Sequence, residues 1–363
     1  MIKYIITAIL LCIILYLLKA NNIMFGDNFG NTLSKLDSVP HFVHLYDNMG
    51  TMLNVVLISK PFSSDGEFKT YLTNMNKYIF IGISSYMEFP HVPTNPLDNY
   101  QDEKNQPPDA KTYPHYLDMY YTICEGWLHC FREPAKYIPI DKPHALISES
   151  DFINYKQNAP DPSIQKEYDF IYSCPKVTED SSCNDWVSYN KNWKLALKCL
   201  PILCEKYKLK GLLIGREGCE IPEGCKPYIT TTGWVDNDMM RKHYQQARFQ
   251  FVPNQRDASP RVITEGMSYG LPCLMNYNIL GGWKYIDENK TGVFFTDEND
   301  IDTAIAKLLE KMPTYNVRQY IIDNYGPVNS GKKLKEFLFA NFKDKLNIEE
   351  CDYITLRGPM IDY

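Results

Sequence analysis

The chain has no excess of basic residues and no closely paired cysteines. Its 38 lysines and arginines are outnumbered by 44 aspartates and glutamates, and the net charge is -6. Nucleic-acid binding requires a basic surface, so nucleic acid is excluded as the expected partner. The 11 cysteines show none of the CxxC spacings of a structural zinc site. Cys219 and Cys225, which flank a Pro-Gly turn, could form a local disulfide in an oxidising compartment.

Long hydrophobic runs are absent except at the N-terminus, where YIITAILLCIILYLL (residues 4–18) lies between two lysines. A helix of about 15 residues spans about 22 Å, short of a hydrocarbon core of about 30 Å unless its flanks extend it. A cleaved signal peptide is the alternative, but Leu18 occupies a position where cleavage after Ala20 requires a small residue. We therefore predict a signal-anchor transmembrane helix over residues 1–21. Lysines on both flanks leave the orientation of this single-pass membrane protein undecided.

Short apolar runs rich in β-branched residues follow the anchor, which is typical of strands buried on both faces of a parallel sheet. Helices fit between them, so the pattern predicts an α/β fold of right-handed βαβ units. The expected strands cover residues 53–59, 78–84 and 144–148 in the first half, and residues 168–174 and 211–215 in the second.

The composition along the chain predicts five segments. Residues 1–21 are the anchor, 22–45 a tether, 46–160 an N-terminal domain, 166–330 a C-terminal domain, and 331–363 a C-terminal helix and tail. The first domain contains a proline-rich stretch from Phe89 to Tyr113 that is too long for a simple connection, and we expect a functional loop there.

The segment NQRDASPRVITEGMSYGLP (residues 254–272) predicts a short helix at the carboxyl end of a strand. Ser259 is placed as its N-cap, Pro260 as its first residue and Gly270 as its stop. In open α/β sheets ligands bind at such ends, and free amide groups at a helix N-terminus suit a diphosphate.

Two carboxylates accompany this helix. Glu265 lies more than one turn into it, where it can accept hydrogen bonds from ribose hydroxyls, and Asp257 precedes it and can reach sugar hydroxyls beyond the diphosphate. Any strand-loop-helix unit that begins with Ser-Pro has this pattern, so the chemistry alone leaves a purely structural role open.

Asp257-x7-Glu265, the following GLPCL, the turn at Gly281 and Gly282, and ENKTGVFF together resemble glycosyltransferase family 4. The resemblance covers mainly residues 166–330. It implies the GT-B fold, with two Rossmann-like domains facing across a cleft. It also implies retaining, metal-independent transfer of a sugar from a nucleoside-diphosphate donor to a hydroxyl of a glycan, lipid or protein. The family carries Glu-x7-Glu, so this chain has a shorter side chain, Asp257, at the position of the first carboxylate.

The resemblance also assigns roles. By it, Glu265 binds the donor ribose and Asp257 contacts the transferred sugar as a catalytic residue, while Ser259 and Arg261 belong to the donor site. The family neutralises the diphosphate with an arginine and a lysine early in the C-terminal domain. No arginine follows Cys174 in the enlarged loop of this chain, so Lys176 is a candidate replacement, and Lys191 in YNKNW matches the lysine.

The turn of Gly233, Trp234 and Val235 resembles the family's base-contacting main chain, without identifying the base. Asp236-Asn237-Asp238 also matches the metal-binding Asp-x-Asp of another transferase fold, but a helical run follows it directly, which favours a turn and helix cap. We expect no metal and no cofactor other than the nucleotide-sugar co-substrate.

The N-terminal domain is where we expect the acceptor to bind. Its sequence GWLHCFREP predicts the end of a helix, and His129 lies on one face of that helix. Family members often have a histidine of the N-terminal domain near the reacting sugar, so His129 is the second catalytic candidate, with a packed core histidine as the alternative. Two other functions stay open, a GT-B sugar-nucleotide epimerase and an inactive scaffold that binds sugar nucleotides.

Overall fold

The computed structural model describes residues 39, 42–60, 62, 64–84 and 123–356. The predicted signal-anchor helix and the proline-rich loop from Phe89 to Tyr113 lie outside these residues. Among the helices that are described, none is long and apolar enough to cross a membrane.

The described part of the chain forms two six-stranded sheets. The first sheet has the order β12-β1-β2-β3-β4-β5 and the second the order β11-β10-β9-β6-β7-β8. The strands of the first sheet are β1 (Phe42–Asp47), β2 (Met52–Ile58), β3 (Ile79–Ile83), β4 (Gly126–Leu128), β5 (His144–Ala145) and β12 (Ile354–Leu356). Those of the second are β6 (Tyr168–Ser173), β7 (Gly211–Ile214), β8 (Ile229–Thr231), β9 (Ala247–Val252), β10 (Cys273–Asn276) and β11 (Gly292–Phe295).

All pairings in the second sheet are parallel. In the first sheet β2 to β5 are parallel, whereas β1 is antiparallel to both of its neighbours, β2 and β12. The predicted α/β fold with parallel sheets is therefore confirmed, with an antiparallel edge on the first sheet.

The helices of the described residues are α1 (Asp65–Asn74), α2 (Trp186–Asn190), α3 (Trp193–Pro201), α4 (Asn237–Gln246), α5 (Arg261–Ser268), α6 (Ile301–Lys311), α7 (Val317–Asn324) and α8 (Gly326–Phe342). Helix α3 continues into a π-helical turn, Ile202–Lys206, and a short 3-10 helix covers Glu149–Phe152. These helices cover the sheets, as expected for strands buried on both faces.

The continuous apolar runs form strands because both of their faces are buried. In β2, Val55, Val56 and Leu57 are at most 1% exposed, and β7 is buried throughout. Full burial of one such side chain contributes about 1.5–3 kcal/mol. One core lies around the first sheet and another around the second, where β6, β9, α3 and α6 meet.

The structure corrects the bounds of two predicted segments and of one predicted strand. Residues 42–45, expected in the tether, belong to β1. Residues 331–356 are not separate from the N-terminal domain, because Leu334 and Phe337 of α8 and Leu356 of β12 pack into the core of the first sheet. The strand predicted at 144–148 is short, since β5 ends at Ala145.

His129 does not lie at the end of a helix. The three preceding residues form β4, which pairs with β3 and β5 inside the first sheet. The sequence GWL was misassigned because a short buried strand and a helix turn both present consecutive apolar residues.

Candidate functional site

Helix α5 begins at the carboxyl end of β9, as predicted, but one residue later. Arg261 is its first residue, and Pro260 occupies the cap position without a side-chain hydrogen bond. Gly270 ends the segment with φ +85°, the left-handed conformation expected of a helix stop. The amide groups at this helix start remain suited to an anion.

Ser259 does not cap α5, contrary to the prediction. Its hydroxyl accepts a hydrogen bond from the Ser150 amide at 3.1 Å and lies 2.8 Å from the Ser150 hydroxyl. Ser150 belongs to the 3-10 helix that follows β5, so Ser259 links the loop before α5 to the N-terminal half. The sequence could not indicate this partner, which is 109 residues away.

Glu265 lies within α5 and is held by one neighbour. The Tyr244 hydroxyl of α4 donates to Glu265 Oε2 at 3.1 Å. Burial raises the pKa of Glu265, while the Tyr244 hydrogen bond and the positive charges of Arg261, Arg241 and Lys191 oppose that rise. A partly desolvated carboxylate of this kind is a strong acceptor for hydroxyl groups.

A cavity lies beside Glu265 between the two halves. Glu265, Arg261, Tyr244 and Arg241 line it from the C-terminal half, and Ser150 and its neighbours line it from the N-terminal half. Two arginines and a carboxylate within one partly apolar cavity provide groups for both an anion and a hydroxylated ligand.

Lys191 and Asp257 meet at the carboxyl ends of β6 and β9. Lys191 follows α2, and its Nζ forms a buried ion pair with Asp257 Oδ2. The side-chain amide of Asn254 donates to the same oxygen at 2.9 Å. Two predicted site residues that are 66 positions apart in sequence therefore contact each other.

His129 is a packed histidine in this structure. Its Nδ1 accepts the Phe131 amide at 3.2 Å, so Nε2 carries the proton and donates to Nδ1 of His144, also at 3.2 Å. Burial, together with the electrostatic interactions with His144 and Lys284, lowers the pKa of His129 to about 3. The ring is neutral near pH 7 and both of its nitrogens are engaged, which leaves no free base here.

The sequence family is identified at the same segment. Residues 184–311, which include Lys191, Asp257 and Glu265, match the family model of the glycosyl transferases group 1. These residues are similar to a glycosyl transferases group 1 domain. The predicted enzyme class, a glycosyltransferase of the hexosyltransferase type, is confirmed by this match; family 4 in particular is compatible with it.

Solved structures give the same fold. Sucrose-phosphate synthase from Thermosynechococcus elongatus is 10% identical with a TM-score of 0.55, and the match covers 80% of this chain and 74% of that chain. Staphylococcus aureus TarM, in a complex that contains UDP, is 14% identical with a TM-score of 0.53, and the match covers 75% and 53%. The chain thus spans about half the length of TarM. No curated protein matches in sequence.

The two-sheet, mainly parallel architecture of these neighbours confirms the predicted GT-B fold for the described residues. At such low identity the likeness extends to the fold alone.

Lys176 does not line the cavity beside Glu265. Its Nζ donates to the carbonyl of Glu179 within its own exposed loop. The buried arginine nearby is Arg216, after β7, which sequence reasoning missed. Its Nη1 donates to the Ser188 hydroxyl of α2 at 2.9 Å and to the Cys183 carbonyl at 3.1 Å. Arg216 therefore fastens the enlarged loop that carries Lys191.

The predicted disulfide is wrong in one partner. Cys219 pairs with Cys183, across a sequence separation of 36, and Cys225 is a free buried cysteine. The bridge ties the enlarged loop after β6 to the loop after β7. The sequence suggested a local pairing because Cys219 and Cys225 flank a short Pro-Gly turn. It could not show that the loops after the neighbouring parallel strands β6 and β7 lie close together.

The turn of Gly233, Trp234 and Val235 follows β8 at the edge of the second sheet. The Gly233 carbonyl accepts the Gly215 amide at 3.2 Å, while Trp234 is 70% exposed. Asp236 caps α4 by accepting the Met239 amide at 2.8 Å, which confirms that Asp236 is a helix cap. This turn does not line the cavity beside Glu265, so its contact with a base stays a prediction.

Proposed function

We propose that the chain is a retaining, metal-independent glycosyltransferase that takes its sugar from a nucleoside diphosphate. The diphosphate would bind at the start of α5, beside Lys191 and Arg261. The carboxylate of Glu265 would accept hydrogen bonds from the ribose hydroxyls. The observation that carries this proposal is the cavity that Arg261, at the start of α5, and Glu265, one turn further along, line together. The UDP held by TarM supports a nucleotide donor.

The chemistry follows from charge. As the bond between the sugar and the diphosphate breaks, negative charge builds on the leaving phosphate, and preorganised cations and amide groups stabilise it. Lys191 is positioned by its ion pair with Asp257 and by the Tyr172 hydroxyl, which donates to its carbonyl. Retention and metal independence rest on the resemblance to family 4, in which the leaving phosphate can receive the proton of the acceptor hydroxyl. We therefore assign no protein base.

The acceptor is a hydroxyl of a glycan, a lipid or a protein. We also propose that residues 1–21 anchor the enzyme to a membrane as a single-pass signal anchor, and this rests on the apolar N-terminal run alone.

The decisive variant is Glu265→Ala. Loss of charged hydrogen bonds worth about 1.5–3 kcal/mol each predicts at least about a tenfold weaker affinity for the nucleoside diphosphate. The melting temperature should fall by no more than about 4 °C, because the variant loses one hydrogen bond, from Tyr244, while the loss of burial of a carboxylate offsets its electrostatic interactions with nearby cations. Glu310→Ala, on the exposed face of α6, is the matched control and should leave both values unchanged.

The measurement is calorimetric titration of the full chain with UDP, GDP and ADP, followed by assay of the corresponding sugar nucleotides for release of diphosphate. Release that depends on an added acceptor supports the transferase. Interconversion of the free sugar nucleotide would instead indicate an epimerase, and binding without release on any acceptor would indicate a scaffold. If the Glu265→Ala variant fails to fold, the role of Glu265 is structural.

A further inference from the structure

The carboxylate of Asp257 is committed to Lys191 rather than open to the cleft. The residue is only 3% exposed and Lys191 only 8%. Both the Lys191 ammonium and the Asn254 amide bond the same oxygen, Oδ2. A carboxylate that contacted a sugar would need to present its oxygens to the cleft, whereas this one faces a buried cation.

The backbone holds the two residues together from both sides. The carbonyl of Asn190 accepts the amides of Gln255 and Arg256, at 3.1 and 3.3 Å. The Lys191 carbonyl accepts the Tyr172 hydroxyl at 2.8 Å, and the Asp257 carbonyl accepts the Gly281 amide at 2.8 Å. The backbone therefore holds the two residues next to each other, while the side-chain ammonium and carboxylate can change partners.

A buried cation needs a counter-charge, since an isolated ammonium in a low-dielectric site costs several kcal/mol. A nucleoside diphosphate is a second anionic partner for the Lys191 ammonium. Its negative charge is also repelled by that of Asp257. The diphosphate and Asp257 therefore compete for one ammonium. When the diphosphate leaves, Asp257 can take Lys191 back, so the cation is never left unpaired.

We propose that Asp257 is the internal counter-ion of Lys191 and sets the release of the nucleoside diphosphate, instead of contacting the transferred sugar. This rests on the proposed function, because it takes Lys191 as the diphosphate ligand. Asp257 is then a positioning residue. Its side chain, one methylene shorter than the family's glutamate, suits this role because the carboxylate stays close to the loop that carries Lys191.

The test uses a nucleoside diphosphate without a sugar, titrated into the full-length protein by calorimetry. Asp257→Asn removes the competing charge but keeps the shape, so affinity for the tightest of UDP, GDP and ADP should rise by about tenfold. Asp257→Ser should shift affinity in the same direction, which makes the result independent of one variant's folding. Asp302→Asn, in the exposed pair with Lys206, is the matched control and should change nothing.

A double-mutant cycle then locates the effect on Lys191. In a Lys191→Met background, Asp257→Asn should change affinity by less than about threefold, because there is no ammonium left to compete for. An equal gain in both backgrounds would overturn the counter-ion role.

Unchanged affinity for the sugar-free diphosphate in both Asp257 variants, with a raised KM for the sugar nucleotide, would overturn the inference and restore Asp257 as a sugar contact. That outcome leaves the proposed function intact. If the wild-type protein binds none of the three diphosphates, the proposed function and this inference both fail.

Discussion

Two buried lysine-aspartate pairs in this molecule have different surroundings. Lys284 Nζ donates to Asp151 Oδ2 at 2.7 Å and to the Ser148 hydroxyl at 3.0 Å. Asp151 also accepts the Tyr285 hydroxyl at 2.6 Å and the Ser148 amide at 3.0 Å. In the Lys191–Asp257 pair, Asn254 is the additional partner of the carboxylate.

The difference lies in where each pair is placed. Lys284 follows the Gly281-Gly282 turn of the C-terminal half, and Asp151 follows the first sheet, so this pair joins the two halves of the molecule. The Lys191 pair lies within one half, at the strand ends where a ligand is expected. The Lys284–Asp151 pair is enclosed by further hydrogen bonds, and we assign it a structural role. The Lys191–Asp257 pair is the one in which we propose that the lysine changes its partner. Both pairs are buried, so burial alone does not distinguish a charged side chain that binds a ligand from one that stabilises the fold.

Breaking the structural pair should have the largest effect on stability. Asp151→Ala leaves Lys284 buried without its counter-ion, which costs about 3–5 kcal/mol. Urea unfolding followed by fluorescence measures it. Glu223→Ala, in an exposed pair with Lys226, is the control and should cost less than about 1 kcal/mol. A loss in Asp151→Ala as small as in the control would abolish the distinction between the two pairs.

Removing the disulfide tests whether the Lys191 pair depends on its loop. The double variant Cys183→Ser with Cys219→Ser should lose about 2–4 kcal/mol of unfolding free energy, because the unfolded chain gains entropy. The Lys191 loop is also released, so affinity for the diphosphate should fall. Cys225→Ser, a buried free cysteine, is the control for the change of side chain. Unchanged affinity in the double variant would mean that Arg216 alone fixes the loop.

The smallest effect concerns His129, which lies near Lys284. Its pKa of about 3 in the folded state lies below the ordinary 6.5, so the unfolded chain binds more protons between these values. The stability from this group is complete above pH 6.5 and is lost as the pH falls toward 3. Relative to His129→Phe, the wild-type protein should lose about 1–2 kcal/mol between about pH 7 and pH 5. Urea unfolding at both values measures it; equal pH dependence in the two proteins would contradict the shift.

The second half of the fold could be predicted from the sequence because its signals are local. Strands such as β6 and β7 are continuous apolar runs, and Gly270 marks the end of α5. The same applies to Glu265, since its place on the helix follows from the spacing. The antiparallel edge formed by β1 and β12 could not be predicted, because these strands come from opposite ends of the described chain.

The failures at the site concern partners that are distant in sequence. Ser259 bonds Ser150, Cys219 bonds Cys183, and Arg216 holds Ser188. Each contact depends on which strands are neighbours, a property of the whole sheet. The resemblance singled out Lys191 in the sequence, whereas its pairing with Asp257 needed the fold.

The most direct test of the account is a crystal structure of the full chain with its tightest-binding nucleoside diphosphate. We expect the diphosphate at the first residues of α5, the ribose hydroxyls on Glu265, and Lys191 Nζ moved from Asp257 to a phosphate oxygen. A nucleotide bound elsewhere, with Lys191 Nζ still paired with Asp257, would contradict the account.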